Sequence, residues 1–193
     1  MPPKQRITRQ MIIEAGYEIA RRDGIEHINS RSISKLLSCS TQPVFSCFTT
    51  MEELKITVFE HARERFIEDG ITYVNTDNHT DFLGLSIKWY LMLLRDEPNL
   101  YRLLYFSGGS GSYTPKDFIA GYTSSHLVLE KMQALYQLDL KECRDILLRA
   151  NALLHGIGSL VFFNGFDMSN EDITDMVKRT VSEMVRSGQR KEI

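Results

Sequence analysis

Apolar residues recur along almost the whole chain at the three- and four-residue spacing of an amphipathic α-helix. The first such stretch follows Thr8, which suits a helix N-cap, and ends at Gly24, which suits a helix stop. Between these two residues, Ile12, Ala15 and Ile19 fall on one helical face. No stretch of strand length alternates apolar and polar residues. The pattern therefore predicts an all-α protein of about nine helices.

Two short helices are predicted after the first, with a tight turn between them. Asn29 is placed to cap a helix over about residues 30–37, and Ser40 is placed to cap another over about residues 41–48. Pro43 falls in the first turn of the latter, where its missing N–H removes no intrahelical hydrogen bond. The apolar residues expected to face inward from the two helices are Ile33, Leu36, Leu37, Val44 and Phe48.

Pairs of capping residues mark the beginnings of several longer helices that follow. The pairs are Thr50 with Glu53 for the fourth helix, Thr114 with Asp117 for the seventh, Asp139 with Glu142 for the eighth and Ser169 with Asp172 for the ninth. Pro98 interrupts the apolar pattern between the fifth and sixth helices. Most of the chain after residue 50 is therefore predicted to be helical as well.

The last two predicted helices have a large apolar surface. The eighth is apolar over a broad front, and Gly156 and Gly158 would let another backbone approach it closely. Two interpretations are open: both helices belong to the core of a monomer, or they also pack against a second copy of the chain. The second interpretation predicts a homodimer interface made of Leu153, Leu154, Ile157, Leu160, Val161, Met176, Val177, Val181 and Met184.

The composition is that of an ordinary globular protein, with 42% hydrophobic and 25% charged residues in a chain of 193. The three cysteines, Cys39, Cys47 and Cys143, are scattered and odd in number, which argues for a reducing compartment and against a disulfide framework or zinc site. No signal peptide is recognisable, and no apolar run approaches the roughly 20 residues of a membrane span. We therefore expect a cytoplasmic protein with no metal, cofactor or membrane contact.

Charge is unevenly distributed along the chain, although the net charge is only −2. Residues 1–50 carry seven basic and four acidic side chains, a local charge of +3, which leaves −5 for the remainder. A small basic end on an acidic body can meet phosphate groups locally while the whole molecule stays in solution. The asymmetry is compatible with nucleic-acid binding but is a weak indication of it.

One region of the sequence matches a known family pattern. Its features are the arginine-bearing first helix with its glycine stop at Gly24, the run Arg31–Ser40, the run Thr41–Phe48 and the acidic pair Glu52–Glu53. Through these features, residues 7–54 resemble the N-terminal domain of the tetracycline-repressor (TetR) family.

The resemblance implies a three-helix helix-turn-helix DNA-binding domain in residues 1–50. It implies a helical ligand-binding and dimerisation domain in residues 51–193. The expected function is that of a sequence-specific transcriptional regulator, in the first instance a repressor, which binds double-stranded operator DNA as a homodimer. A small-molecule effector would control its affinity for the operator, and whether the effector releases or promotes binding is left open.

In the helix-turn-helix arrangement the recognition helix enters the major groove, so its outward side chains are candidates for base contacts. Gln42 is the best of these, because its amide can both donate to and accept from adenine. Arg31, Lys35, Thr49 and Lys55 are the candidates for phosphate contacts. The full DNA-binding set implied by the resemblance is Arg31, Lys35, Ser40, Thr41, Gln42, Pro43, Phe45, Ser46, Thr49 and Lys55.

The sequence departs from the family pattern at three positions. Ser38 stands where the family usually has glycine, and we expect a left-handed backbone there. Phe45 and Met51 stand where tyrosine and lysine are usual. A phenyl ring and a thioether cannot make the phosphate contacts of a hydroxyl and an ammonium. Two lost contacts would weaken binding and flatten its salt dependence, by roughly 0.9 in the slope for each phosphate.

The middle helices carry the aromatic residues expected of an effector pocket, although each of them also suits a plain core. The candidates are Phe66, Trp89, Tyr90, Tyr101, Phe106, Phe118, Tyr122 and His126. Tyr122 and His126 lie four residues apart, on one helical face, and together could orient a polar ligand group. His155 is expected to be a hydrogen-bonded interface residue rather than a ligand contact.

Two other functional classes compete with the regulator. An enzyme would need a nucleophile with its base, or a cluster of carboxylates in a pocket, and no such constellation is apparent in the sequence. A helical dimerisation or ligand-carrying module that has lost DNA binding is favoured only by Phe45 and Met51. DNA binding distinguishes the regulator from both.

Overall fold

The computed structural model describes residues 6–75, 81–106 and 126–189. Regular structure within these ranges consists of nine α-helices and one short 3₁₀ helix, Ile25–His27. The α-helices are α1 Arg9–Asp23, α2 Ser30–Leu36, α3 Gln42–Cys47, α4 Met51–Asn75, α5 Phe82–Asp96, α6 Pro98–Phe106, α7 His126–Tyr136, α8 Leu140–Phe162 and α9 Asn170–Gln189. The predicted all-α fold of about nine helices is confirmed. The predicted capping pair Thr114–Asp117 lies outside the described residues.

Most of the predicted caps form the expected hydrogen bonds. The hydroxyl oxygen of Thr8 accepts from the N–H of Met11 at 3.3 Å, and the Gly24 N–H donates to the carbonyl of Ala20 at 3.0 Å. Gly24 has φ +105°, in the region that favours glycine. The carboxylate of Asp139 accepts from the N–H of Glu142 at 2.7 Å. These caps depend on residue types only three or four positions apart, which is why they can be predicted locally.

The capping of α3 differs from the prediction. The N-cap is Thr41 rather than Ser40, and no side chain accepts a cap hydrogen bond there. The helix begins at Gln42, one residue later than predicted, although Thr41 already has helical backbone angles, φ −74° and ψ −15°. The carbonyl of Ser40 instead accepts a hydrogen bond from the hydroxyl of Ser34 at 3.1 Å, which closes the turn between α2 and α3.

The inward face of α2 was also predicted incorrectly at Leu36. Ile33 is fully buried as expected, but Leu36 is 45% exposed, and the buried neighbour of Ile33 is Ser34. At 100° per residue, the inward face runs through positions 33, 34 and 37, and Leu36 falls to one side of it. In a helix of seven residues the packing partner decides which apolar residues are covered.

The described residues divide into two compact units, and each is considered by itself. The first contains residues 6–71 and 95–106, hence α1, α2, α3, most of α4 and α6. The second contains the end of α4, most of α5, and α7, α8 and α9. The predicted functional boundary near residue 50 is a different division, and it stays a prediction.

The core of the first unit is built around α1, which packs against α2, α3 and α6. Its buried apolar residues include Ile12, Ile19, Ile33, Val44, Leu54, Val58 and Tyr101. Gly16 marks a close approach to α4, because a β-carbon there would lie 2.6 Å from Cγ2 of Val58. A larger residue at position 16 would therefore push α1 away from α4.

The core of the second unit lies chiefly between α8 and α9, with α7 packed on α8. Along α9, Ile173, Val177, Val181 and Val185 are buried at spacings of four residues. Two polar contacts hold α9, one near its middle and one at its last residue. Lys178 forms an ion pair with Asp81, and the Gln189 side-chain amide donates to the Tyr136 carbonyl at 2.9 Å.

One described helix, α8, is long and apolar enough to cross a bilayer when judged by length and composition alone. A helix in the core of a soluble protein can satisfy the same criteria, so this is a weak indication of a membrane span. The charged residues of α8 are concentrated in its first ten positions, among them Arg144 and Arg149. The rest of the helix is mostly apolar, and 33% of its most apolar stretch is buried among the described residues.

Candidate functional site

The predicted recognition helix, α3, is fixed to the first unit by one buried side. Val44 is fully buried and Phe48 is almost so, as the sequence predicted. Phe48 is further held from outside by Arg9, whose guanidinium lies 4.5 Å from the centre of the phenyl ring. A helix of six residues has little stability of its own, so these contacts determine its position.

The opposite side of α3 faces outward. Gln42, Phe45 and Ser46 are exposed, and Thr41 and Pro43 are partly exposed. Phe45 is 58% exposed, which is a large fraction for a phenyl ring. The Ser46 hydroxyl donates to the Gln42 carbonyl at 2.9 Å, while the Gln42 side chain extends from the exposed surface. The outward face therefore presents one amide, one aromatic ring and small polar groups.

The turn between α2 and α3 has the backbone that the sequence predicted. Ser38 has φ +51°, in the left-handed region that glycine adopts without strain. At the other end of α2, Asn29 and Ser32 form a reciprocal capping box, in which the Asn29 side chain accepts from the N–H groups of Arg31 and Ser32. Both ends of α2 are thus fixed by local interactions.

The predicted phosphate-binding residues lie on the surface of the first unit. Arg31, Lys35 and Thr49 are exposed, and Lys55 is partly exposed. The backbone N–H of Thr49 donates to the Glu53 carboxylate at 2.8 Å. Its hydrogen-bonding capacity toward a phosphate is therefore confined to its hydroxyl, whereas Arg31 and Lys35 offer charged groups on the exposed side of α2.

A polar cluster that the sequence did not predict joins α1 to α4. The Glu14 carboxylate lies 2.8 Å from Nε2 of His61 and accepts from the Arg65 guanidinium at 2.5 Å. The hydrogen bond to Glu14 raises the pKa of Arg65, and the Arg65 guanidinium also lies 5.0 Å from the ring centre of Tyr17. The partners are about fifty residues apart in sequence, so no local pattern indicates them.

A second unpredicted cluster joins α1 to the beginning of α6. The Arg21 guanidinium donates to both carboxylate oxygens of Glu97, at 2.9 Å from Nε, and this hydrogen bonding raises the pKa of Arg21. The Asn99 side-chain amide donates to the Arg22 carbonyl at 2.8 Å. These contacts fix the C-terminal end of α1.

The predicted pocket residues lie in different parts of the fold. Phe66 and Tyr101 are buried in the first unit, where Tyr101 packs against Phe106 with ring centres 5.7 Å apart and Phe106 is 40% exposed. Trp89 and Tyr90 belong to the second unit. Phe118 and Tyr122 lie outside the described residues, and of His126 the structure describes only the backbone, at the beginning of α7.

Tyr90 lies beside His155, a histidine left out of the predicted pocket set. The Tyr90 hydroxyl is 3.3 Å from Nδ1 of His155, and the two rings meet edge to face with centres 5.0 Å apart. Burial lowers the pKa of His155 to about 4, so its imidazole is neutral at physiological pH. The pair therefore places a hydroxyl group and a neutral imidazole within hydrogen-bonding distance of each other in the second unit.

The second unit also has a surface groove of about 540 Å³ between the beginning of α5 and the first half of α9. Seven of the ten residues that line it have polar side chains, among them Asp81, Lys88, Glu171, Asp175 and Lys178, and Leu85 and Leu91 add apolar surface. The sequence did not predict this groove, because its walls come from segments about ninety residues apart. Its mixed charges differ from the aromatic lining predicted for an effector pocket.

The predicted dimer residues divide into two groups by burial. Leu154, Ile157, Val161, Val177 and Val181 are buried inside the chain, where α8 packs against α9. Leu153, Met176 and Met184 are partly exposed, and Leu160 is 51% exposed. Among the described residues, none has an atom within 4 Å of the position that a β-carbon on Gly156 would occupy. The structure thus leaves the second group available on the surface, and the interface itself stays a prediction.

Comparison with known proteins shows the fold. No sequence-family model and no curated protein matches the chain. Among solved structures, it is similar to the multidrug-binding protein EbrR, in a complex with imidazole, with a TM-score of 0.58 at 17% identity over 91% of this chain and 96% of that one. It is also similar to the fatty acid degradation regulator FadR from Bacillus halodurans, with a TM-score of 0.55 at 16% identity over 94% and 97%.

Both similarities run over nearly the full length of each chain. The chain therefore shares the helical fold of these two proteins, and the predicted resemblance to TetR-type regulators is confirmed for the fold alone. At this level of identity the shared fold does not carry a ligand or a DNA sequence from one protein to another.

Proposed function

We propose that this chain is a cytoplasmic, homodimeric transcriptional regulator that binds operator DNA through α3. One observation carries the proposal: α3 is anchored by Val44 and Phe48, and it presents Gln42, Phe45 and Ser46 outward. A short helix with one buried side and one exposed polar side is what entry into a major groove about 12 Å wide requires.

The roles within the first unit follow from the chemistry of each side chain. Gln42 reads a base edge through its amide, and Arg31 and Lys35 contact phosphates from the exposed side of α2. Residues 1–50 form the DNA-binding domain, and residues 51–193 form the sensing and dimerisation domain. We propose no catalytic role for either domain.

Homodimerisation is supported by the apolar surface of α8 and the segment after it. Leu160, Phe163 and Phe166 are among the most exposed large apolar residues, and Gly156 leaves room for another backbone. A second copy that covers this surface would bring two α3 helices into one particle. Operators for such dimers have half-sites about 34 Å apart, one turn of B-form DNA.

For the effector, the proposal names a chemical class and a domain. Similar folds belong to a multidrug-binding protein and a fatty acid degradation regulator, which supports a small organic effector in the second domain. An effector that prefers one arrangement of the dimer shifts the population toward it by no more than its differential affinity. We propose that the protein represses transcription and that the effector relieves this repression.

The decisive experiment is selection of bound genomic fragments by the purified protein, followed by titration of variants on the selected operator and on random DNA. Gln42→Ala should weaken operator binding on the order of tenfold while leaving random DNA unchanged. Arg31→Ala should weaken both equally and reduce the salt slope by roughly 0.9. Gln133→Ala on α7 is the matched control and should change neither. Equal losses on both DNAs for Gln42→Ala would refute base reading.

Sedimentation of the same preparations tests the dimer. Leu160→Gln should shift the wild-type dimer toward monomer, and the shift should weaken operator binding further at low protein concentration. Leu135→Gln is the control, because Leu135 is a similarly exposed leucine on a different helix, α7, outside the predicted interface set. A wild-type monomer at high concentration would contradict the proposal. A dimer that binds no DNA would support the ligand-carrying module instead.

A further inference from the structure

Phe45 is the most unusual residue on the outward side of α3. Its ring is 58% exposed, although its neighbour Val44 and the nearby Phe48 are buried. The other residues of that side are polar or small. A single exposed apolar residue is common on protein surfaces, but this one occupies the middle of the proposed DNA-reading face.

Phe45 also shares its face with the proposed base-reading residue. Positions three and four apart on an α-helix are neighbours, so Gln42, Phe45 and Ser46 lie side by side. If the Gln42 amide reaches a base edge, the Phe45 ring enters the same groove one helical turn away. The ring must then meet either the groove floor or the sugar–phosphate wall.

The chemistry of the groove limits what a phenyl ring can recognise. A benzyl side chain neither donates nor accepts a conventional hydrogen bond. The major-groove edges of the bases present hydrogen-bond donors and acceptors, with one apolar exception, the C5-methyl group of thymine. Burying the ring against that methyl group removes apolar surface of both partners from water.

We propose that Phe45 is a specificity residue that packs against a thymine C5-methyl group in each operator half-site. The inference rests on the proposed function and adds a definite base preference to it. Thr41 and Pro43 also carry apolar atoms and could contact a thymine methyl group. The experiment must therefore show that the effect of removing that methyl group depends on Phe45.

The experiment replaces thymines of the selected operator by uracil, one position at a time, which removes only the methyl group. At one position of each half-site, the uracil replacement should lower the affinity of the wild-type protein about three- to fivefold. Burial of a single methyl group contributes a difference of this size. Phe45→Ala should bind more weakly overall and show no difference between thymine and uracil there. Because Phe45 is exposed, this replacement should leave the fold intact, and circular dichroism would verify that.

Gln42→Ala is the matched control, because it removes a hydrogen-bonding contact from the same face. It should retain the full preference for thymine at the position that Phe45→Ala loses. The inference is overturned if no uracil position weakens wild-type binding, or if Phe45→Ala keeps the preference, since the ring would then lie elsewhere. Protein that binds no DNA at all would contradict the proposed function, and the inference with it.

Discussion

The outward surface of α3 and that of α8 differ sharply, although the two helices are buried in similar ways. Behind α3 lie Val44 and Phe48, and behind α8 lie Ile157 and Val161, all apolar. Outward, α3 is mostly polar, whereas α8 presents Leu160 and other large apolar groups.

In the proposed function, the buried residues of each helix specify the fold and the exposed residues specify the partner. A polar face with one amide suits a hydrogen-bonding polymer such as DNA, whose affinity depends on phosphates and base edges. An apolar face suits a second protein surface, because its association is driven by removal of apolar area from water. Each half of the contrast can be tested separately.

The largest expected effect comes from truncating a buried side chain in the core of the first unit. Ile33→Ala should lower the free energy of unfolding by about 3 kcal/mol, because it deletes buried methyl groups and leaves a cavity. Leu36→Ala, three residues later on the same helix, should lower it by less than about 1 kcal/mol, because Leu36 is largely exposed. Urea denaturation of both variants measures the difference, and equal losses would contradict the inward face assigned to α2.

The second largest effect is the pH dependence of stability that His155 causes in the second unit. The pKa of His155 is near 4 in the folded chain and near 6.5 in the unfolded one. Between these values the unfolded state binds more protons, so the free energy of unfolding falls as the pH is lowered from 6.5 to 4. The loss amounts to about 3 kcal/mol, and it is absent above pH 6.5.

His155→Gln should remove this contribution and retain a hydrogen-bonding partner for the Tyr90 hydroxyl. Stability curves measured from pH 7.5 to 4 should therefore be flatter for His155→Gln than for the wild type. His27→Gln, a change at an exposed histidine of the first unit, should leave the steeper curve unchanged. Parallel curves for the wild type and His155→Gln would argue against a buried neutral imidazole.

The smallest effect concerns the turn that joins α2 to α3. Ser38→Gly should raise the free energy of unfolding by up to about 1 kcal/mol, because φ +51° strains a residue with a β-carbon. The greater flexibility of glycine in the unfolded chain offsets part of the gain. Ser40→Gly, in the same turn without a positive φ, should not stabilise the protein. Thermal denaturation of the two variants would show whether the strain at Ser38 is real.

Local rules account for what the sequence predicted well. The caps at Thr8, Asn29 and Asp139 each depend on a side chain and a backbone N–H within three positions. The left-handed turn at Ser38 likewise follows from its place between two short helices. The burial of Val44 and Phe48 follows from helical periodicity, because α3 has one apolar side.

The features that the sequence missed depend on distant packing. Leu36 was misassigned because α1, rather than α2 itself, decides which side of α2 is covered. Glu14 could not be paired with Arg65, since many acidic and basic residues are available at such separations. The dimer interface stays a prediction; five of its nine residues are also buried where α8 packs on α9, because helical periodicity alone does not separate the two sides of a broad apolar front.

Two contacts cover the end of α1 with residues that are synthesised much later. They are the contact of Arg21 with Glu97 and that of Asn99 with the Arg22 carbonyl. Ribosomes synthesise the chain from its N-terminus, and α1 is complete some seventy-five residues before its partners on α6 appear. At about 5–20 residues per second, the growing chain spends several seconds with that side of α1 uncovered. A recombinant fragment that ends after α4 would keep the same side permanently open to solvent.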